Sequence, residues 1–169
     1  LDALAANYRF IQGAVAPAEC AAVVKCDGYG LGALPIARSL ADEGCRRFFA
    51  TYAGEGEALR AVLGAGCAIY VFNGVEPATA QEVRDAGFIP VLNSMAQARL
   101  WKLTAPTAPA ALHIDTGMNR LGLPAAEAQE AARLGLVFET VMSHLASPSP
   151  EGNPANERQR AAFEHAAAL

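Results

Sequence analysis

The sequence has no apolar run approaching the roughly 20 residues that cross a bilayer, which excludes a membrane-spanning helix. It opens without a basic stretch leading into an apolar core, so no export signal is visible and a cytoplasmic location is expected. It has no excess of positive charge: a formal net charge of −4 and a pI near 5.4 argue against a nucleic-acid or anionic-membrane partner. There are only four cysteines, with no C-x-x-C pair, so Cys20, Cys26, Cys45 and Cys67 read as free, partly buried thiols and neither a disulfide framework nor a metal site is expected. No repeat, charge block or low-complexity segment marks a second domain. What the chain does have is 53% hydrophobic and 18% charged residues over 169 positions, enough for a globular domain with a sizeable core.

Its patterning alternates. Leu1, Leu4, Tyr8, Ile11 and Val15 recur at three- and four-residue steps, predicting a helix over 1–15 that Pro17 ends. A short apolar run over 21–24 predicts the first strand, and helices follow over 33–43, 55–63, 77–86, 94–103 and 124–134. Strands are predicted at 47–51, 68–72, 88–92, 111–114 and 137–143, with Pro106 and Pro109 in a loop. Pro148, Pro150 and Pro154 mark a long loop before a last helix from about residue 155. About six strand–helix units in succession imply a parallel sheet with crossover helices. An open doubly wound sheet and most of a barrel both satisfy this order; a TIM-type (β/α)8 barrel would here be incomplete by about two units. The chain starts without methionine and ends at Leu169 inside a helical pattern, so a piece of a longer protein is expected.

Three candidate groups fall just after strands, where barrels carry their chemistry. Lys25 leaves the first strand into a loop holding Gly28, Gly30 and Gly32, with Tyr29 four residues on. An amine held partly out of water there is a nucleophile for a carbonyl; otherwise it is a snorkelling lysine above an ordinary turn. The loop over 116–122 carries Arg120 between permissive glycines, a fork of donors for a carboxylate, phosphate or phenolate oxygen, or a structural partner for Asp115. His144 ends the sixth strand, where a lone histidine among apolar neighbours is more often packing than chemistry. His165, in the last helix, reads as surface.

Lys25-Cys26-Asp27-Gly28-Tyr29-Gly30-Leu31-Gly32 resembles the pyridoxal-phosphate signature K-A-D-A-Y-G-H-G of bacterial alanine racemases, departing from it at Cys26, Gly28 and Leu31. Asp115-Thr116-Gly117-Met118-Asn119-Arg120-Leu121-Gly122 is similar to a second signature of that family. Met142-Ser143-His144-Leu145-Ala146, with the later Asn156, Gln159 and Phe163, is similar to a third region, and the likeness runs from Asn7-Tyr8 to Phe163. The resemblance implies that residues 1–169 are the N-terminal part of a PLP-binding (β/α)8 barrel domain whose C-terminal β-domain lies outside this chain. It implies pyridoxal 5'-phosphate as cofactor, bonded covalently by Lys25, with Tyr29 on its phosphate, Arg120 on its phenolic oxygen and on the substrate carboxylate, and His144 against its ring. Many family members carry a carbamylated lysine seven residues before the arginine; His113 stands there, so His113 or a bound anion orients Arg120, or the constraint is absent.

The implied activity is interconversion of L- and D-alanine by two bases, Lys25 and a tyrosine from the other subunit of a homodimer, supplying D-alanine for peptidoglycan. The chain by itself is then expected to be inactive. Two alternative readings share the same barrel type: a non-catalytic PLP-binding homeostasis protein, and a D-amino-acid lyase or aldolase with a metal site in its other half. A cofactor-free Schiff-base aldolase barrel is disfavoured by the arginine signature.

Overall fold

The computed structural model describes residues 1–149 and 152–168; Pro150 and Leu169, read above as part of the proline-rich loop and as the end of a helical pattern, lie outside the described residues. The chain forms two compact units, one of Leu1–Phe72 with Asp85–Ile89, the other of Asn73–Arg84 with Pro90–Leu169.

The first unit opens with α1 (Asp2–Val15), followed by β1 (Ala22–Val23), a turn labelled α2 (Lys25–Tyr29), α3 (Ala33–Asp42), β2 (Arg47–Ala50), α4 (Ala53–Leu63) and β3 (Ala68–Val71). The strands are parallel, pairing Ala22 with Phe48 and Phe48 with Ile69. Val24 N–H donates to Phe49 O at 3.0 Å and Phe72 N–H to Ala50 O at 2.9 Å, carrying the ladder just past the strand ends. Side chains alternate as the pleat requires: Phe48 and Ala50 are fully buried, while Phe49 stacks on Tyr70 and Phe72 at 4.4 and 4.9 Å between ring centroids. Each such stack adds about 0.5–1.5 kcal/mol beyond the area it buries, so the sheet face leading to Lys25 is a stiff aromatic floor.

The second unit holds all but the last residue of α5 (Ala80–Asp85), all but the first of β4 (Ile89–Leu92), and α6 (Met95–Thr104), β5 (Pro109–His113), α7 (Ala125–Ala132), β6 (Val137–Met142) and α8 (Pro154–Ala167). Again every pairing is parallel: Leu92 with Leu112, Leu112 with Val141, and a register shift after Ala110 that leaves one extra residue in β6. Ser94 Oγ accepts from Gln97 N–H at 3.2 Å and caps α6. Asn153 does the same for α8, with Pro154 at the first helical position. Trp101 is fully buried at the centre of this unit's core with Leu112, Ile114 and Leu123.

All six expected strands form, with ends shifted by at most two residues. Pro109, expected in a loop, instead begins β5, a place where its missing N–H costs nothing because the strand is only starting. The expected helix over 77–86 is helical only from Ala80; before it Thr79 N–H and its hydroxyl both turn back to Glu76 O. All four cysteines are free. Cys45 and Cys67 are buried, and burial pushes the Cys45 thiol up, as expected of inert packing thiols; Cys26, expected to be partly buried, is exposed.

Candidate active site

Lys25 follows β1 directly and begins a turn of unusual handedness. Cys26, Asp27, Gly28 and Tyr29 have φ of 53°, 51°, 61° and 58°, and Gly30 follows at 82°. This is one turn of left-handed helix, closed by Gly28 N–H to Val24 O at 2.9 Å and Gly30 N–H to Cys26 O at 3.0 Å. For the three residues carrying a Cβ, that conformation costs roughly 1–2 kcal/mol each, so it persists only where neighbouring contacts determine it. Asp27 supplies one: its Oδ1 accepts from Ala33 N–H at 2.8 Å, capping α3 from inside the turn. Lys25 is half-buried as a residue; its amine lies 5.9 Å from the Tyr29 ring centroid and 5.8 Å from that of Phe72, and it forms no hydrogen bond or ion pair among the described residues. Tyr29 is 63% exposed on the outer side of the turn.

In the second unit, the loop after β5 is tied at its base. Leu123 N–H donates to His113 O at 2.8 Å and Asp115 N–H to Leu123 O at 2.9 Å. The Asp115 carboxylate is spent inside this loop, accepting the N–H groups of Gly117, Met118 and Asn119 at 2.9–3.1 Å. Burial pushes its pKa up, but these donors outweigh burial and hold the carboxyl below the usual range. The simple ion pair between Arg120 and Asp115 is therefore not what the sequence encodes. Arg120 is exposed at the loop tip with no hydrogen bond or ion pair among the described residues, its guanidinium donors available to a ligand.

His113 ends β5 and is only 7% exposed. Its Nδ1 lies 2.8 Å from Asn93 Oδ1, and the Asn93 Nδ2 donates to Val91 O at 2.8 Å, so Oδ1 is the acceptor and His113 carries its proton on Nδ1. It does not bond Arg120. Burial is the largest cause holding its imidazole below the ordinary 6.5; His144 and Arg120 push the same way and Asp115 opposes them. A folded state that resists protonation loses stability as pH falls: the contribution is intact above 6.5 and is lost as pH drops through the lower folded value. Urea melts between about pH 7 and pH 5 are expected to show this loss, at most ~1.4 kcal/mol per pH unit. His113→Gln is expected to flatten the profile.

His144, placed after β6, is exposed, while its backbone carbonyl accepts from Gln159 Nε2 at 3.2 Å. Gln159 is nine-tenths buried and also reaches Thr116 Oγ1 at 3.2 Å and accepts Ala146 N–H at 2.9 Å. One amide on α8 thus ties the loops after β5 and β6 together. Asn156, Gln159 and Phe163 line a recess of about 320 Å³ with Thr116 and Ser143. The first unit therefore brings Lys25 and Tyr29 together, and in the second Arg120 and His144 each lie within range of His113.

The family model described as "Alanine racemase, N-terminal domain" matches residues 1–169. The chain belongs to that family. It is 42% identical over 178 residues to the catabolic alanine racemase of Mesorhizobium japonicum, covering 100% of this chain and 47% of the relative, and 46% identical over 171 residues to an alanine racemase of Methylobacterium nodulans, covering 96% and 46%. The alanine racemase of Bartonella henselae with covalently bound pyridoxal phosphate superposes with a TM-score of 0.93 at 36% identity, over 99% of this chain and 49% of that one. The chain spans about half the length of the relatives it matches, and its fold is the TIM-type (β/α)8 barrel of the alanine racemases, represented by six of the β/α units.

Set against the alanine racemase signature, the glycine at 28 has a visible consequence. A methyl there would sit 2.9 Å from Ile36 Cδ1 and 3.1 Å from Ala33 N. Gly28→Ala, which restores the residue common in the signature, is expected to destabilise the protein by about 1–3 kcal/mol. Ile36→Val removes only the Cδ1 contact; the Ala33 backbone contacts and the φ of 61° remain, so the double variant is expected to recover less than half of the loss in a urea melt.

Two residues of this site were not found from the sequence. Asn93 lies in no motif, and only its contact with His113 marks it. Glu55 lies in none either, although an acid at the third helical position of α4 commonly reaches back to a preceding N–H.

Proposed function

We propose that the full-length parent of this chain is a pyridoxal-phosphate-dependent alanine racemase, a homodimeric cytoplasmic enzyme supplying D-alanine for peptidoglycan. The observation that carries this is Lys25: a half-buried residue whose amine has no hydrogen bond or ion pair among the described residues, at the carboxyl end of β1 in a chain of this family. No helix among the described residues is long and apolar enough to cross a membrane.

The donor set suits the cofactor. An aldehyde needs an amine without an ionic partner, which Lys25 supplies. A phosphate needs exposed donors, and the Tyr29 hydroxyl on its turn is one. A phenolic oxygen needs a cationic fork with its donors unspent, as Arg120 has. His144, exposed after β6, offers a flat imidazole for the ring. When bound, pyridoxal phosphate delocalises the charge left on Cα by loss of its proton.

The chain's own residues then bind and move a proton. Arg120 holds the anionic oxygen and orients the substrate carboxylate. Lys25 Nζ accepts the α-proton on one face and, in the reverse direction, returns it. The group acting on the opposite face comes from outside this chain, so residues 1–169 alone do not racemise. The test is circular dichroism of alanine with added cofactor. Turnover by the full-length protein and none by residues 1–169 is expected; cofactor binding by the full-length protein without turnover would favour the non-catalytic PLP-binding protein.

A further inference from the structure

Glu55 stands in the first turn of α4, half-buried, and its two oxygens do different work. Oε2 accepts Thr51 N–H at 2.7 Å, a reach-back contact that caps α4. Oε1 accepts Cys26 N–H at 2.9 Å, 29 residues away in sequence and next to Lys25. Cys26 is the first of the left-handed residues. The other hydrogen bonds described for the turn come from residues 24–33 themselves: Val24, Cys26, Asp27 and Gly28 carbonyls, and the Asp27 carboxylate on Ala33. Among the described residues Glu55 makes the hydrogen bond that reaches the turn backbone from another β/α unit, and it acts on the peptide joining Lys25 to Cys26.

The geometry points to Glu55 as a positioning residue for Lys25: its carboxylate fixes the Lys25–Cys26 peptide in the left-handed turn, which aims the amine between the Tyr29 and Phe72 rings. Without it the strained turn has a less costly right-handed alternative, and that alternative changes where the lysine stem leaves β1. This rests on Lys25 being the cofactor-bearing amine. A displacement of about 1 Å at a reacting group costs on the order of 10²-fold in rate. Losing a hydrogen bond to a charged acceptor weakens the bound state by roughly ten- to hundredfold.

The test uses the full-length protein and three variants, E55A, E55Q and K25A. Three quantities are read: retention of the cofactor by the absorbance of its lysine-bound form, kcat and KM for alanine, and amide exchange at Cys26. E55A is expected to lose cofactor roughly ten- to hundredfold more readily, to drop in kcat with little change in KM, and to exchange the Cys26 amide faster. E55Q keeps one carbonyl oxygen, so it is expected to lie between E55A and the parent; it also decides the matter if E55A fails to fold. A lower melting temperature in both variants with parental cofactor retention and kcat would reduce Glu55 to a cap of α4 and overturn the inference. K25A separates the two ideas. If K25A loses the absorbance while E55A keeps it, Glu55 alone is wrong; if K25A keeps it, the assignment of Lys25 falls and the inference with it.

Discussion

Lys25→Ala in the full-length protein is expected to abolish the absorbance of lysine-bound cofactor and to lower racemisation by about 10²–10⁴-fold. The loss is chemical. The amine has no hydrogen bond or ion pair among the described residues whose removal would strand a buried partner; its neighbours are the faces of Tyr29 and Phe72, so alanine forfeits stem packing and a weak cation–π contact. Melting should therefore change little while turnover collapses. Lys25→Arg is the sharper control, because it keeps the charge over the same rings but remains protonated and neither condenses with an aldehyde nor accepts a proton. Wild-type absorbance in either variant would remove Lys25 from the chemistry.

Gly122→Ala should have the largest effect on folding stability. Gly122 has φ of 108°, and a Cβ there would lie 2.8 Å from Asp115 N, 3.1 Å from Ile114 C and 3.2 Å from His113 O. All three are backbone atoms in the stretch that the hydrogen bonds between Leu123 and residues 113 and 115 hold in place. Conformational strain and overpacking together are expected to cost about 2–6 kcal/mol. Gly30→Ala is the matched control: its φ of 82° is also left-handed, but nothing lies within 4 Å of an added Cβ, so only the conformational term of about 1–2 kcal/mol remains. Urea melts of the two variants should differ clearly, with accelerated amide exchange at Asp115 and Leu123 for Gly122→Ala alone. Equal losses would mean the loop base yields, and that Arg120 is not held by it.

These two residues mark how far the sequence carried. The alternation of apolar runs with three- and four-residue periodicity placed six strands and put Lys25, the Arg120 loop and His144 at strand ends, because side-chain period and chain order are local properties. The glycines near Lys25 announced a tight turn, but not its hand: Cys26, Asp27 and Tyr29 are poor left-handed residues in isolation. In the sequence Asp115 stands only as a possible partner of Arg120, and only the folded loop gives it three N–H groups.

What the sequence determined by itself was the order of parallel strands and which side chains stand at their carboxyl ends. The tertiary structure decided the left-handed exit of the chain at Lys25, the tautomer of His113 set by Asn93, and the joining of two loops by Gln159. Each of these rests on hydrogen bonds between residues 15 to 43 positions apart. Such a bond has no local signature, because its acceptor reaches the donor only once separate strand–helix units have packed.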